Sequence, residues 1–161
     1  MTPPQKPHRS KQDYRTPSAF LDAVKRYLSI DAFDCDLAAS PDNAVADLFL
    51  TEDLSAFDAP SWKFGNGWNW CNPPYSDIRP WVERAEYESH LGAATAMLIP
   101  ASVGSNWWRD FVHNRARVLL LNGRLAFMPD KPTWLYPKDC CLLLFGSRVI
   151  DGMYDVWTWH D

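Results

Sequence analysis

Apolar side chains recur along this chain in two rhythms, one helical and one continuous, and their alternation sets out an α/β domain. Phe20, Leu21, Val24, Tyr27 and Leu28 fall at helical spacing behind Thr16-Pro17. That spacing predicts an amphipathic helix over 17–29, with the threonine hydroxyl as cap and proline in the first helical position. Residues 77–91 carry Trp81, Val82 and Ala85 on one side, predicting a second helix capped by Asp77 and stopped at Gly92. A third helix is expected over 105–114. Ala93 to Ile99, Val118 to Leu121 and Cys141 to Phe145 are apolar without polar alternation, as strands covered on both faces are. Shorter strand candidates are 32–37, 47–50 and 68–71.

Strands of this kind alternating with helices predict a mostly parallel sheet with helices on both faces. In such sheets ligands bind beyond the carboxyl ends of the strands. Asp34 and Asp36 lie at the end of one candidate strand, and Asn72-Pro73-Pro74-Tyr75 just past another.

Composition adds boundaries to this picture. A chain of 161 residues makes one compact domain, too small for a catalytic domain plus a separate target-recognition domain. Its first 13 residues hold Lys6, His8, Arg9 and Lys11 among three prolines and almost nothing apolar, so 1–13 reads as a disordered basic arm and 14–161 as the single domain. The net charge of −4 gives no general attraction for nucleic acid and confines any such role to local basic groups. Nine tryptophans exceed what a small core ordinarily takes, which leaves some as stacking surfaces. Cys35, Cys71, Cys140 and Cys141 show no metal spacing with the histidines and sit mostly in apolar runs, which reads as reduced thiols in a cytoplasmic protein without zinc. No apolar run reaches the roughly 20 residues that span a bilayer, and no secretory leader opens the chain.

The tetrapeptide carries the most specific chemistry. Its prolines fix φ and remove two backbone donors, leaving a stiff turn with outward carbonyls. Asn72 offers one acceptor oxygen, the carbonyl of Pro73 a second, and Tyr75 a flat ring beside them. This is a receptor for an amino group on a planar ring. Such an amine is a poor nucleophile because its lone pair is delocalised, and two acceptors pulling on its hydrogens free that pair for direct attack on a sulfonium methyl. Catalysis then rests on positioning and preorganised polarity. A base in duplex DNA must leave the stack to arrive, and stacking on Tyr75 offsets part of the lost pairing. The paired carboxylates of Asp34 and Asp36 around a buried Cys35 need partners, and a ligand with hydroxyls and an ammonium supplies them.

An aromatic residue before Thr-Pro, the segment FDCDLAAS, then Thr-Glu-Asp, then NPPY, taken in order, resemble the small phage-type DNA N6-adenine methyltransferases over about Tyr14 to Phe145. The resemblance implies a class I methyltransferase (Rossmann-like) fold, with a seven-stranded, mostly parallel sheet and one antiparallel strand near the C-terminus. It implies S-adenosylmethionine as cofactor, contacted by Tyr14, Thr16 and Pro17 at its methionine end. Asp34, Asp36 and Ala38 would cradle it, and Thr51, Glu52 and Asp53 would lie near its ribose and adenine. Asn72, Pro73, Pro74 and Tyr75 take the catalytic role, with a flipped-out adenine of double-stranded DNA as substrate. Position 14 is Tyr where Trp is common, position 72 is Asn where many relatives carry Asp, and a glycine-rich loop is replaced by Ala38-Ala39-Ser40.

Lys11, Arg109, Arg124 and Lys131 are candidate DNA contacts, and the proline-rich loop from Gly123 to about Lys138, with Trp134, is the candidate reader of sequence. The tetrapeptide alone also suits methyl transfer to cytosine N4, RNA or a protein glutamine, and the fold could persist in a non-catalytic nucleic-acid-binding relative. Either a monomer or a homodimer, in a bacterial host cell and encoded by a phage or prophage, fits this reading.

Overall fold

The computed structural model describes residues 15–146 and 153–160; Lys11 with the rest of the 1–13 segment, and Tyr14, lie outside them. In chain order the elements are α1 (Ser18–Leu28), β1 (Trp68–Cys71), α2 (Arg79–Ser89), β2 (Ala94–Pro100), a π-helical segment (Trp108–Val112), β3 (Arg117–Asn122), β4 (Cys140–Phe145) and β5 (Tyr154–Thr158). The sheet runs β1-β2-β4-β3-β5. β1 and β2 are parallel, as are β3 and β5, while β4 is antiparallel to both its neighbours. One reversed strand near the C-terminal end thus sits in an otherwise co-directional sheet. β2, expected as a parallel strand, is parallel on one side only.

The candidate strands at 32–37 and 47–50 are reduced to single bridges, yet both extend the sheet. Asp36 bridges Trp70 on one side and Phe49 on the other, parallel in each case. Trp70 N–H donates to the Cys35 carbonyl at 2.8 Å, and Leu37 N–H to the Trp70 carbonyl at 2.9 Å. Because these segments run with β1, the residues after Leu37, Leu50 and Cys71 all emerge at one edge.

Uniformly apolar strands are explained by a core on each face. Met97, Ile99, Cys141, Leu143 and Phe145 pack with Val82 and Ala85 of α2 and with Trp108. Ala96, Leu98, Leu142 and Leu144 pack with Phe20, Ala23 and Val24 of α1. Alternate residues of the same strand serve opposite layers, so the strands are almost wholly apolar, with Thr95 of β2 and Asn69 of β1 as the buried polar residues.

Two helix starts differ from expectation. The cap residue of α1 is Pro17, whose ring has no acceptor, so no side chain caps the helix; Thr16, one residue earlier, lies outside the cap and meets Asn72 instead. Ile78 rather than Asp77 caps α2, with Pro80 in the first turn. Gly92, at φ +95°, makes the left-handed turn from α2 into β2. β5 was not foreseen. It lies at the sheet edge, where all but Trp157 of its five residues stay exposed, and its apolar residues Tyr154, Val156 and Trp157 follow no strict alternation.

A buried carboxylate holds the long connection between the second bridge and β1. Glu88, 1% exposed, accepts the Trp62 N–H at 2.9 Å and the Arg84 Nε–H at 2.9 Å. Arg84 in turn donates to the Ala59 carbonyl at 2.6 Å. Truncating Glu88 removes the carboxylate partner of a largely buried guanidinium, which keeps its carbonyl contacts, and leaves the buried Trp62 N–H without its acceptor. Glu88→Ala should therefore lower unfolding free energy by roughly 3–5 kcal/mol in urea titrations; a loss under about 1 kcal/mol would contradict this role.

Candidate active site

Three loops meet beyond the common edge, and each is set there by the segment before it. β1 delivers Asn72 to Tyr75. Pro73 is buried and Asn72, Pro74 and Tyr75 are partly exposed. Asn72 Nδ2 donates to Thr16 Oγ1 at 3.1 Å, bringing the start of α1 onto the loop across 56 residues of sequence. Its Oδ1 makes no hydrogen bond among the described residues. Tyr75 donates its hydroxyl to the Leu98 carbonyl of β2 at 3.2 Å, and burial pushes its pKa well above the ordinary value, so it remains a neutral donor.

The Tyr75 ring meets Phe127 edge-on at 6.3 Å and Tyr136 at 5.8 Å between centroids. Phe127 and Tyr136 touch each other at 5.4 Å, and Tyr136 touches Trp134 at 6.5 Å. The loop after β3 therefore folds back over the tetrapeptide, pinned by Tyr136 N–H to the Leu125 carbonyl at 2.8 Å. Trp134, 37% exposed, is the most exposed of the nine tryptophans and stands with Leu135 at the outer end of this aromatic row. Phe127 and Tyr136 were missed from sequence; their only signal was their place in the same loop as Trp134.

Asp36 lies 3% exposed where the neighbouring segment ends. Its Oδ1 accepts the Ala38 N–H at 3.3 Å and its Oδ2 the Val45 N–H at 3.1 Å. Burial raises its pKa from 3.8 to about 6, against the lowering effect of those two amides. The same loop buries Ser40 Oγ with no hydrogen-bond partner, a residue sequence reasoning had not singled out. Asp34 faces the other way, accepting the Gly67 N–H at 2.8 Å, and a Cβ on Gly65 would come within 2.6 Å of its carboxylate. Thr51 closes a turn with Leu54, N–H to Oγ1 at 3.3 Å, and exposes Glu52 and Asp53 beyond it.

The basic candidates are dispersed. Arg124 and Lys131 are exposed on the loop over the tetrapeptide, Arg124 pairing with Asp139 at 3.2 Å. Arg109 lies on the π-helical segment with its guanidinium on the adjacent Asp110 at 2.8 Å, and Asp110 also faces Arg79 at 3.8 Å. All four cysteines are buried and free, and burial drives the Cys35 and Cys140 thiols up to about 12. No described helix is long and apolar enough to cross a membrane.

The α/β domain thus brings the stiff tetrapeptide and a buried carboxylate to one edge of the sheet. Residues 4–140 match the family described as DNA N-6-adenine-methyltransferase (Dam), so the chain belongs to that family. A DNA N-6-adenine-methyltransferase of Haemophilus phage HP1 (strain HP1c1) is 29% identical over 147 residues, covering 88% of this chain and 83% of that protein. One of Escherichia phage T1 is 28% identical over 94 residues, covering 58% of this chain and 39% of the relative. No solved structure is significantly similar.

The raised pKa of Asp36 has a consequence for stability. A carboxyl that holds its proton more tightly folded than unfolded stabilises the fold below the unfolded value of 3.8, and that contribution is lost as pH rises to about 6. The loss is roughly 3 kcal/mol at most. Urea titrations between pH 4 and 6 should show this slope in the wild type and its absence in Asp36→Asn.

Proposed function

We propose that this protein is a DNA methyltransferase that moves a methyl group from S-adenosylmethionine to the N6 amino group of adenine. The observation that carries the reading is Asn72 at the carboxyl end of β1, its amide anchored through Nδ2 and its oxygen left for a donor. Family membership over 4–140 supplies the base. The co-directional sheet with β4 reversed between β2 and β3 supports a class I methyltransferase fold, with 14–161 as one domain.

The residues of the upstream loop fit S-adenosylmethionine. Asp36 is a buried carboxylate with only backbone amides to compensate it, and Ser40 Oγ is a buried hydroxyl without a partner, so an ammonium and a polar ligand group satisfy both. Ala38 would close on the same ligand, with Thr51, Glu52 and Asp53 toward its hydroxyl-bearing end and Tyr14, Thr16 and Pro17 on the other side. Asp34 holds the wall behind them through Gly67. When bound, this cosubstrate supplies an electrophilic methyl on sulfur. Asn72 Oδ1 and the Pro73 carbonyl accept from the adenine amine, while Tyr75, immobilised by Leu98, Phe127 and Tyr136, offers the ring against which the base rests. The nitrogen lone pair forms the new N–C bond, the C–S pair returns to sulfur, and one amine proton leaves to solvent.

The substrate in this reading is an adenine flipped from double-stranded DNA. The loop from Gly123 to Lys138 contacts the duplex through Arg124, Lys131 and Trp134; Lys11 and Arg109 add charge at its margins. A monomer or a homodimer in the cytoplasm of a bacterial host completes the proposal.

Incubation with methyl-labelled S-adenosylmethionine and DNA, followed by nucleoside analysis, should yield N6-methyladenine. N4-methylcytosine, labelled RNA or labelled protein would point to the corresponding rival, and no transfer at all to a binding relative. Asn72→Ala should lose at least a hundredfold in kcat while keeping its circular dichroism spectrum. S-adenosylmethionine binding should strengthen as pH rises through about 6, where Asp36 ionises, and then level off; calorimetry of Asp36→Asn should show no such step. Lys131→Ala should lower the salt dependence of DNA binding by about one phosphate contact, and an unchanged slope would remove Lys131 from the interface.

A further inference from the structure

We propose that Thr16 is a positioning residue that sets which end of the Asn72 amide faces the reacting amine. This rests on the functional reading above and concerns a role distinct from cofactor contact. A primary amide presents an acceptor oxygen and a donor nitrogen of nearly equal size. Turned over, Asn72 would oppose an NH2 group to the adenine amine, two donors facing each other, and the receptor would fail. Something has to select the orientation.

Two observations identify Thr16 as that group. Its Oγ1 lies 3.1 Å from Asn72 Nδ2. Pro17, not Thr16, occupies the cap position of α1, so the threonine hydroxyl lies outside the helix terminus and its hydrogen bond goes to Asn72. A hydroxyl can donate as well as accept. With an amine donor on the far side of Asn72, however, the arrangement that gives every donor an acceptor puts Nδ2 on Thr16 and Oδ1 on the substrate. The segment is itself held in place: Arg15 N–H donates to the Phe127 carbonyl at 2.7 Å, and the Phe127 ring abuts Tyr75. The threonine is thus clamped between the tetrapeptide and the loop that covers it.

A carboxylate has two equivalent oxygens and needs no such selection. That difference isolates the orienting role. Thr16→Val, Thr16→Ser, Asn72→Asp and the Thr16→Val/Asn72→Asp double variant of the full chain are compared in kcat on adenine-containing duplex DNA and in S-adenosylmethionine affinity by calorimetry. Thr16→Val should lower kcat about tenfold at saturating S-adenosylmethionine, the loss of one oriented hydrogen bond, over and above any weakening of cofactor binding from the lost Thr16 contact. Thr16→Ser should restore most of the rate. Whatever turnover Asn72→Asp retains should be indifferent to Thr16→Val.

A Thr16→Val enzyme of undiminished kcat overturns the proposal, as does an equal loss in both backgrounds or a loss that saturating cofactor abolishes. If Asn72→Asp is itself inactive, the contrast between valine and serine in kcat against affinity decides alone. A wild-type protein that methylates no adenine overturns both readings, whereas an active wild type insensitive to Thr16→Val overturns this one only.

Discussion

Two backbone hydrogen bonds, from Trp70 N–H to the Cys35 carbonyl and from Leu37 N–H to the Trp70 carbonyl, carry more of this molecule's design than any side chain. They lock a segment too short to be a strand of several residues into parallel register with β1. Parallel register makes the two segments end together. A one-residue slip would turn Asp36 from its pair of amides and would present Cys35, now buried in one core, to the other face. The register is defended by packing, since Trp70 is 1% exposed against Phe20 and Phe33 and could not be displaced without opening that core.

The edge so created holds two polar groups with opposite histories. Asp36 is a charge kept nearly dry, strained toward protonation, and offset only by two amide dipoles. Asn72 is neutral and costs little to bury, but its usefulness depends on which of its two ends faces outward. Tyr75 is the rigid part between them: its hydroxyl is taken by β2 and its ring is boxed by two aromatic neighbours. The aromatic row that boxes it continues to Trp134 at the surface, so the covering loop and the tetrapeptide form one packed unit.

Much of this was legible in the chain itself. β2, β3 and β4 were visible as apolar runs because both faces of each are covered, and α1 and α2 as amphipathic periodicities. The short segments around Asp36 and Phe49 were visible as apolar runs too, although only single bridges of each survive. β5 escaped because its weight in the pattern is small: an edge strand with four of its five residues exposed buries little and leaves only a faint pattern. Helix ends were misjudged at Thr16 and Asp77 because capping rules are local, and at both positions the local choice was not taken.

The sequence by itself determined the kinds of groups available, a stiff acceptor turn, a carboxylate after an apolar strand and a basic, aromatic loop, because composition and periodicity fix burial and local geometry. Tertiary structure alone decided their partners. Asp34 and Asp36, two residues apart, face opposite duties, one bound to Gly67 and the other held by the Ala38–Val45 loop. Thr16 reaches Asn72 across 56 residues, and Phe127 and Tyr136 reach Tyr75 from beyond β3. A hydrogen bond or ring contact depends on separations of a few ångströms set by every element packed between, and no local pattern records them.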